Sequence, residues 1–216
     1  MLTVLAILLL AEPATADVGP FVGPPAGPKV AAVGDSRLGQ LESEGPRYPR
    51  SRKALTRTMV DQGWRALVEH RNTWRTARIR VLAGQALERG AQVVVIVSGA
   101  GDIRWVRESP ERATARQAVR RSVRGTIADL AHRCVVWPTV PEAGSPGDRV
   151  TAQAMNQELD AADAASVDVR SPDWGAQAAI HPEWFIDDGV HLSPSGEAAF
   201  QFRILIAARA CVAGLS

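Results

Sequence analysis

A chain of 216 residues, 46% hydrophobic and 22% charged, is long enough for one sizeable core and excludes wholesale disorder. A formal net charge of +2 gives no electrostatic reason to expect a nucleic acid as partner.

The chain opens on an apolar run, "LTVLAILLLA", followed by "EPATAD". That run is shorter than the roughly 20 apolar residues that span a bilayer, so no stable membrane insertion is expected. It reads as a signal peptide over residues 1–16, with Ala14-Thr15-Ala16 as the small-x-small cleavage site and Asp17 as the mature start, although no Lys or Arg precedes the run. A secreted or cell-envelope location follows. Residues 17–29, rich in Gly and Pro, read as a lead-in unable to sustain helix or ladder. Residues 30–216 then form a single domain.

Within the domain, "KVAAVG" predicts a buried strand ending at Gly34. Leu55, Met59 and Val60 predict a helix over 51–62, and "WRALVEH" a second strand. Ile79, Leu82, Ala83, Ala86 and Leu87 mark a helix stopped by Gly90. Five consecutive β-branched residues, Val93 to Val97, give the clearest strand. Their unbroken apolarity suits a parallel strand covered on both faces. A helix over about 110–132, a strand in "CVVWPTV", a helix over about 149–164 and a strand in "SVDVRSPDW" follow. A last helix runs over about 195–210. The alternation predicts an α/β sandwich around a five-stranded parallel sheet. In an exported protein, Cys134 and Cys211 most simply form one disulfide, the alternative being two separate buried thiols.

Functional residues of such sheets gather at the carboxyl ends of the strands. Three places qualify: Gly34-Asp35-Ser36, Gly99 to Asp102, and "IDDGVHLSPSG". Ser36 is either a plain turn serine or a nucleophile. A nucleophile needs a base within reach and a third group to orient that base, and Asp188 and His191, spaced D-x-x-H, supply both types. Asp187 competes with Asp188, and the spacing favours Asp188. His70, His132 and His181 have no motif around them and read as surface or packing residues.

These blocks resemble those of the SGNH hydrolases, the GDSL-type esterase and lipase superfamily with a flavodoxin-like three-layer α/β/α fold. Gly34-Asp35-Ser36 matches its nucleophile block, and Asp188-Gly189-Val190-His191 with Leu192-Ser193-Pro194-Ser195-Gly196 matches its last block. The resemblance implies that Ser36 attacks an ester, that His191 takes and returns its proton, and that Asp188 orients His191, with Asp35 structural. The chain departs from the family at the oxyanion hole. The asparagine of G-x-N-D is Gly101, and the loop after the second strand has Asn72 and Thr73 where the family carries glycine. Ser36, Asn72, Thr73 and Gly101 are therefore the candidate oxyanion donors, with Asn72 either a replacement donor or a turn-former.

The resemblance implies a secreted serine hydrolase of carboxylic esters, with O-acetyl groups on glycans as the expected substrate, acting as a monomer without cofactor. No His/Asp spacing typical of a metal site appears. Two rivals remain: a glycan O-acyltransferase, and an inactive glycan-binding module. Trp74 and Trp105 are expected in loops flanking Ser36, as sugar platforms or as caps on the sheet edge. The cluster Arg71, Arg75, Arg78 and Arg80 reads either as a solvated helix face or as a preference for an anionic polymer.

Overall fold

A computed structural model describes residues 18–42, 54–166 and 168–215. The segment 1–16, read from the sequence as a signal peptide, and the start of the helix expected over 51–62 lie outside the described residues. The sheet contains β1 (Lys29–Gly34), β2 (Arg65–His70), β3 (Val93–Val97), β4 (Cys134–Val136) and β5 (Val169–Arg170), all parallel, in the order β2-β1-β3-β4-β5. This is the doubly wound order whose direction reverses between β1 and β3.

Because side chains alternate along a strand, each strand feeds two cores. Val30, Ala32, Val93, Val95, Val97 and Val136 face one layer, built from α1 (Ser36–Glu42), α2 (Leu55–Asp61), α7 (Trp174–Ala179) and α8 (Pro194–Ala213). Ala31, Val33, Val94, Ile96 and Val135 face the other, built from α3 (Thr76–Glu88), α4 (Ala100–Glu108), α5 (Arg112–Asp129) and α6 (Pro146–Ala165). The α/β/α sandwich expected from the alternation is the architecture found. Cys134, the first residue of β4, is bridged to Cys211 of α8, with Cα atoms 5.6 Å apart.

Several elements differ from the sequence reading. Ser36 and Gly101, read as loop residues, each lie in the first turn of a helix, α1 and α4. Both helices are short and interrupted by Gly or Arg, so their apolar period is weak; tertiary burial of Leu38, Leu41 and Val106 holds them. The strand expected in "SVDVRSPDW" shrinks to Val169–Arg170, because Pro172 has no N–H for a ladder and Asp173 instead caps α7 through Ala176 N–H.

Candidate active site

At the carboxyl end of β1 the chain makes a tight passage into α1. Asp35 N–H donates to the Val97 carbonyl at 2.9 Å, tying the turn to β3, and Asp35 Oδ1 accepts the Arg37 N–H at 3.0 Å. A side chain on Gly34 would lie 2.5 Å from the Val97 carbonyl oxygen, so the approach of the two strands requires glycine. Ser36 thereby stands half-buried at the switch point of the sheet, on the first turn of α1.

The opposite wall is the loop between α7 and α8. Phe185 and Leu192 bridge its stem, the Ile186 N–H donates to the His191 carbonyl at 3.0 Å, and Gly189 turns it with φ 66°. Trp184 supports the stem, stacked between buried Trp174 and His181 at centroid distances of 5.1 and 4.1 Å. Asp188 Oδ1 accepts the N–H groups of Val190 and His191, each at 2.8 Å. Asp188 Oδ2 lies 2.6 Å from His191 Nδ1, and His191 Nε2 lies 3.2 Å from Ser36 Oγ. His191 therefore bonds Asp188, not Asp187. Burial raises the pKa of Asp188, but the bonds from the His191 ring and from the His191 and Val190 N–H groups outweigh it and hold the carboxyl below its usual range. An ionised Asp188 only accepts, so Nδ1 carries the proton and Nε2 is free to take one from Ser36.

Gln40, one helical turn after Ser36, was not singled out in the sequence. Its Oε1 accepts the Leu192 N–H at 3.0 Å and its Nε2 donates to the Leu192 carbonyl at 3.2 Å. This reciprocal pair fastens α1 to the residue after His191. Arg37 was also missed: 4% exposed, it lines the cleft while Nη2 donates to the Ser98 carbonyl at 2.9 Å. No spacing rule reveals either, since each acts on a backbone group distant in sequence.

Between these walls lies a cleft of about 360 Å³, lined by Ser36, His191 and Asp188, by Thr73 and Gly101, and by a largely apolar side that includes Ile103, Val140 and Phe185. Asn72 is exposed and is not among the lining residues. Thr73 adopts φ 64°, the left-handed conformation that favours glycine. Gly101 sits in the first turn of α4, where N–H groups have no partner within the helix. A Cβ there would meet the carbonyl oxygens of Trp74 at 2.5 Å and Thr73 at 2.9 Å. Main chain of the loop after β2 thus occupies the space an asparagine side chain would need, and this explains Gly101.

Behind Gly101, Asp102 is 2% exposed; its Oδ2 accepts the Thr76 N–H at 2.9 Å and hydroxyl at 2.7 Å. Burial pushes its carboxyl up to about 6, against the opposing bonds from Thr76. Among the described residues, no group of three or more His, Cys, Asp or Glu side chains is placed to hold a metal ion.

No known family model and no curated protein matches the sequence. Solved structures do match. The lipase Lip_vut3 from a goat rumen metagenome aligns with a TM-score of 0.64 at 15% identity, over 83% of this chain and 97% of that one. A lipase/acylhydrolase from Enterococcus faecalis aligns with a TM-score of 0.61 at 20% identity, over 84% and 96%. The C-terminal catalytic domain of the peptidoglycan O-acetyltransferase A of Streptococcus pneumoniae aligns with a TM-score of 0.63 at 13% identity, over 86% and 94%. Together with the five-stranded parallel sheet, these matches establish that the chain has the fold of the SGNH hydrolases, the GDSL-type lipases and esterases.

Proposed function

We propose that the protein is a serine ester hydrolase in which Ser36, His191 and Asp188 form the triad. The observation that carries this reading is the unbroken hydrogen-bonded path from Asp188 Oδ2 through His191 to Ser36 Oγ. Ser36 Oγ attacks the ester carbonyl while its proton passes to Nε2. The tetrahedral intermediate then collapses, Nε2 protonates the departing alkoxide, and an acyl-Ser36 remains. Water, deprotonated by the same imidazole, releases the acid and restores Ser36. Asp188 holds the ring in the required tautomer and stabilises the imidazolium. Negative charge on the carbonyl oxygen is received by main-chain N–H groups of Ser36, Thr73 and Gly101, three residues that border the cleft.

The substrate is an O-acetyl ester; acetyl xylan esterases are among the proteins that share this fold. Export to an oxidising compartment is supported by the Cys134–Cys211 bridge. Among the described residues no helix is long and apolar enough to cross a membrane. The test is labelling with a fluorophosphonate probe, the modified residue being read by mass spectrometry. Label on Ser36 that is lost in His191→Ala is the expected result. Folded wild-type protein that takes no label would sink the reading and leave an inactive binding module.

A further inference from the structure

The cationic side of the cleft continues beyond its rim. Arg104 and Arg107 of α4 line the cleft together with Thr73, and the chain runs on from Thr73 through Trp74 and Arg75 to Arg78 on α3. The guanidinium of Arg75 lies 4.2 Å from the centroid of Trp105, and those of Arg71 and Arg78 lie 6.0 and 5.7 Å from the centroid of Trp74. Pairing with acids is uneven across this surface. Arg71 pairs with Glu69, Arg104 with Glu108 at 2.8 Å and Arg107 with Asp148 at 3.4 Å. Arg75 and Arg78 pair with no carboxylate among the described residues. Asp102, whose charge Arg75 feels, is buried and bonded to Thr76.

An arginine laid on an indole face loses little further freedom on binding, and its planar fork of N–H donors stays open at the edge for a carboxylate. The Arg104–Glu108 pair leaves its side chains 59% and 58% exposed, so it is weak and can exchange its acid for one on a ligand, while Arg107 stays 54% exposed beside its buried partner Asp148. The cations are spread over a loop and two helices, Arg104 and Arg107 on the wall of the cleft of about 360 Å³ and Arg75 and Arg78 outside its lining. A ligand that meets them while presenting an ester to Ser36 must be extended and must carry repeated negative charge. A polymer with hydroxyls to esterify and carboxylates at regular intervals is an acidic glycan.

We propose that the acylated substrate is a polyanionic glycan whose carboxylates are received by Arg75 and Arg78, with Arg104 and Arg107 guiding the chain into the cleft. The proposal rests on the ester-hydrolase reading for the position of the scissile bond, and its test is separable from that reading. Binding of polygalacturonate and of xylan to the Ser36→Ala protein is measured by affinity electrophoresis. Retardation by polygalacturonate and not by xylan is expected. It should weaken about tenfold in Arg75→Gln/Arg78→Gln, and also, without any mutation, on raising salt from about 0.05 to about 0.5 M. No retardation, or equal retardation by both polymers, overturns the proposal. Hydrolysis of p-nitrophenyl acetate by the unsubstituted protein tests the ester-hydrolase reading independently. With wild type, turnover of acetylated polygalacturonate is expected to exceed that of acetylated xylan by about tenfold in kcat/KM; equal values overturn the proposal even if both esters are cleaved.

Discussion

Thr73 carries a backbone conformation at φ 64° that costs a threonine about 1–2 kcal/mol relative to the right-handed region. Such strain persists only where the surroundings impose it, and here the surroundings are the cleft and the start of α4. If the contribution of Thr73 is its N–H, glycine should serve as well. Thr73→Gly is expected to keep turnover of p-nitrophenyl acetate within about threefold, whereas Thr73→Pro, lacking the N–H and fixed near φ −65°, should lose about 100-fold or more. Equal losses in both variants would transfer the role to the threonine hydroxyl.

Asp102 is the second residue whose environment sets a measurable quantity. Its carboxyl titrates at about 6 in the folded chain, against 3.8 for the ordinary group. Between these values the unfolded chain gives up the proton while the folded chain keeps it. Stability due to this group therefore falls as pH rises from about 4 to about 6, by on the order of 3 kcal/mol, and is level above. Asp102→Asn, which cannot ionise, should lack that fall, so its stability relative to wild type should grow across the same window in urea titrations. Parallel pH profiles for the two proteins would contradict this account of Asp102.

At the level of elements, much of the architecture was legible because buried parallel strands declare themselves. Val93 to Val97 is apolar at every position since both faces are covered, and all five residues are buried. The residues of the proposed triad were legible for a different reason: Asp188 and His191 share one turn, so sequence spacing and spatial distance coincide. Thr73 and Gly101 were also named from the sequence as candidate oxyanion donors, but how they meet was not legible, because the loop after β2 and the first turn of α4 approach one another only in the folded chain. The sequence offered Asn72 and the loss of an asparagine at Gly101 as the features to explain. In the structure Asn72 is exposed, and Gly101 accommodates backbone atoms of Thr73 and Trp74. Gly101→Asn consequently should not restore a donor. Its Cβ would meet the Trp74 carbonyl oxygen at 2.5 Å, which only a shift of main chain can relieve. We expect a melting temperature lower by several degrees, with turnover reduced about tenfold or more. Faster turnover at an unchanged melt would show that the loop yields readily and that an asparagine donor fits after all.

For the molecule as a whole, the single bridge between Cys134 and Cys211 joins the amino-terminal end of β4 to the last turns of α8. It closes a segment with a sequence separation of 77, which contains α6, β5, α7 and the loop bearing Asp188 and His191. Cross-linking so long a loop restricts the unfolded chain by an amount on the order of 4 kcal/mol in the chain-entropy account. For a chain of this size that corresponds to roughly 10 °C in melting temperature. Ser36 and His191, by contrast, sit at the carboxyl ends of the strands, the opposite edge of the sheet from Cys134. Stability and chemistry should therefore separate. Cys134→Ser/Cys211→Ser, or reduction of the native protein, is expected to lower the melt by about that amount while turnover at room temperature stays within about twofold. An unchanged melt would mean that the bridge does not form in solution. A large loss of turnover well below the melting temperature would mean that α8 positions the His191 loop only while it is tied to β4.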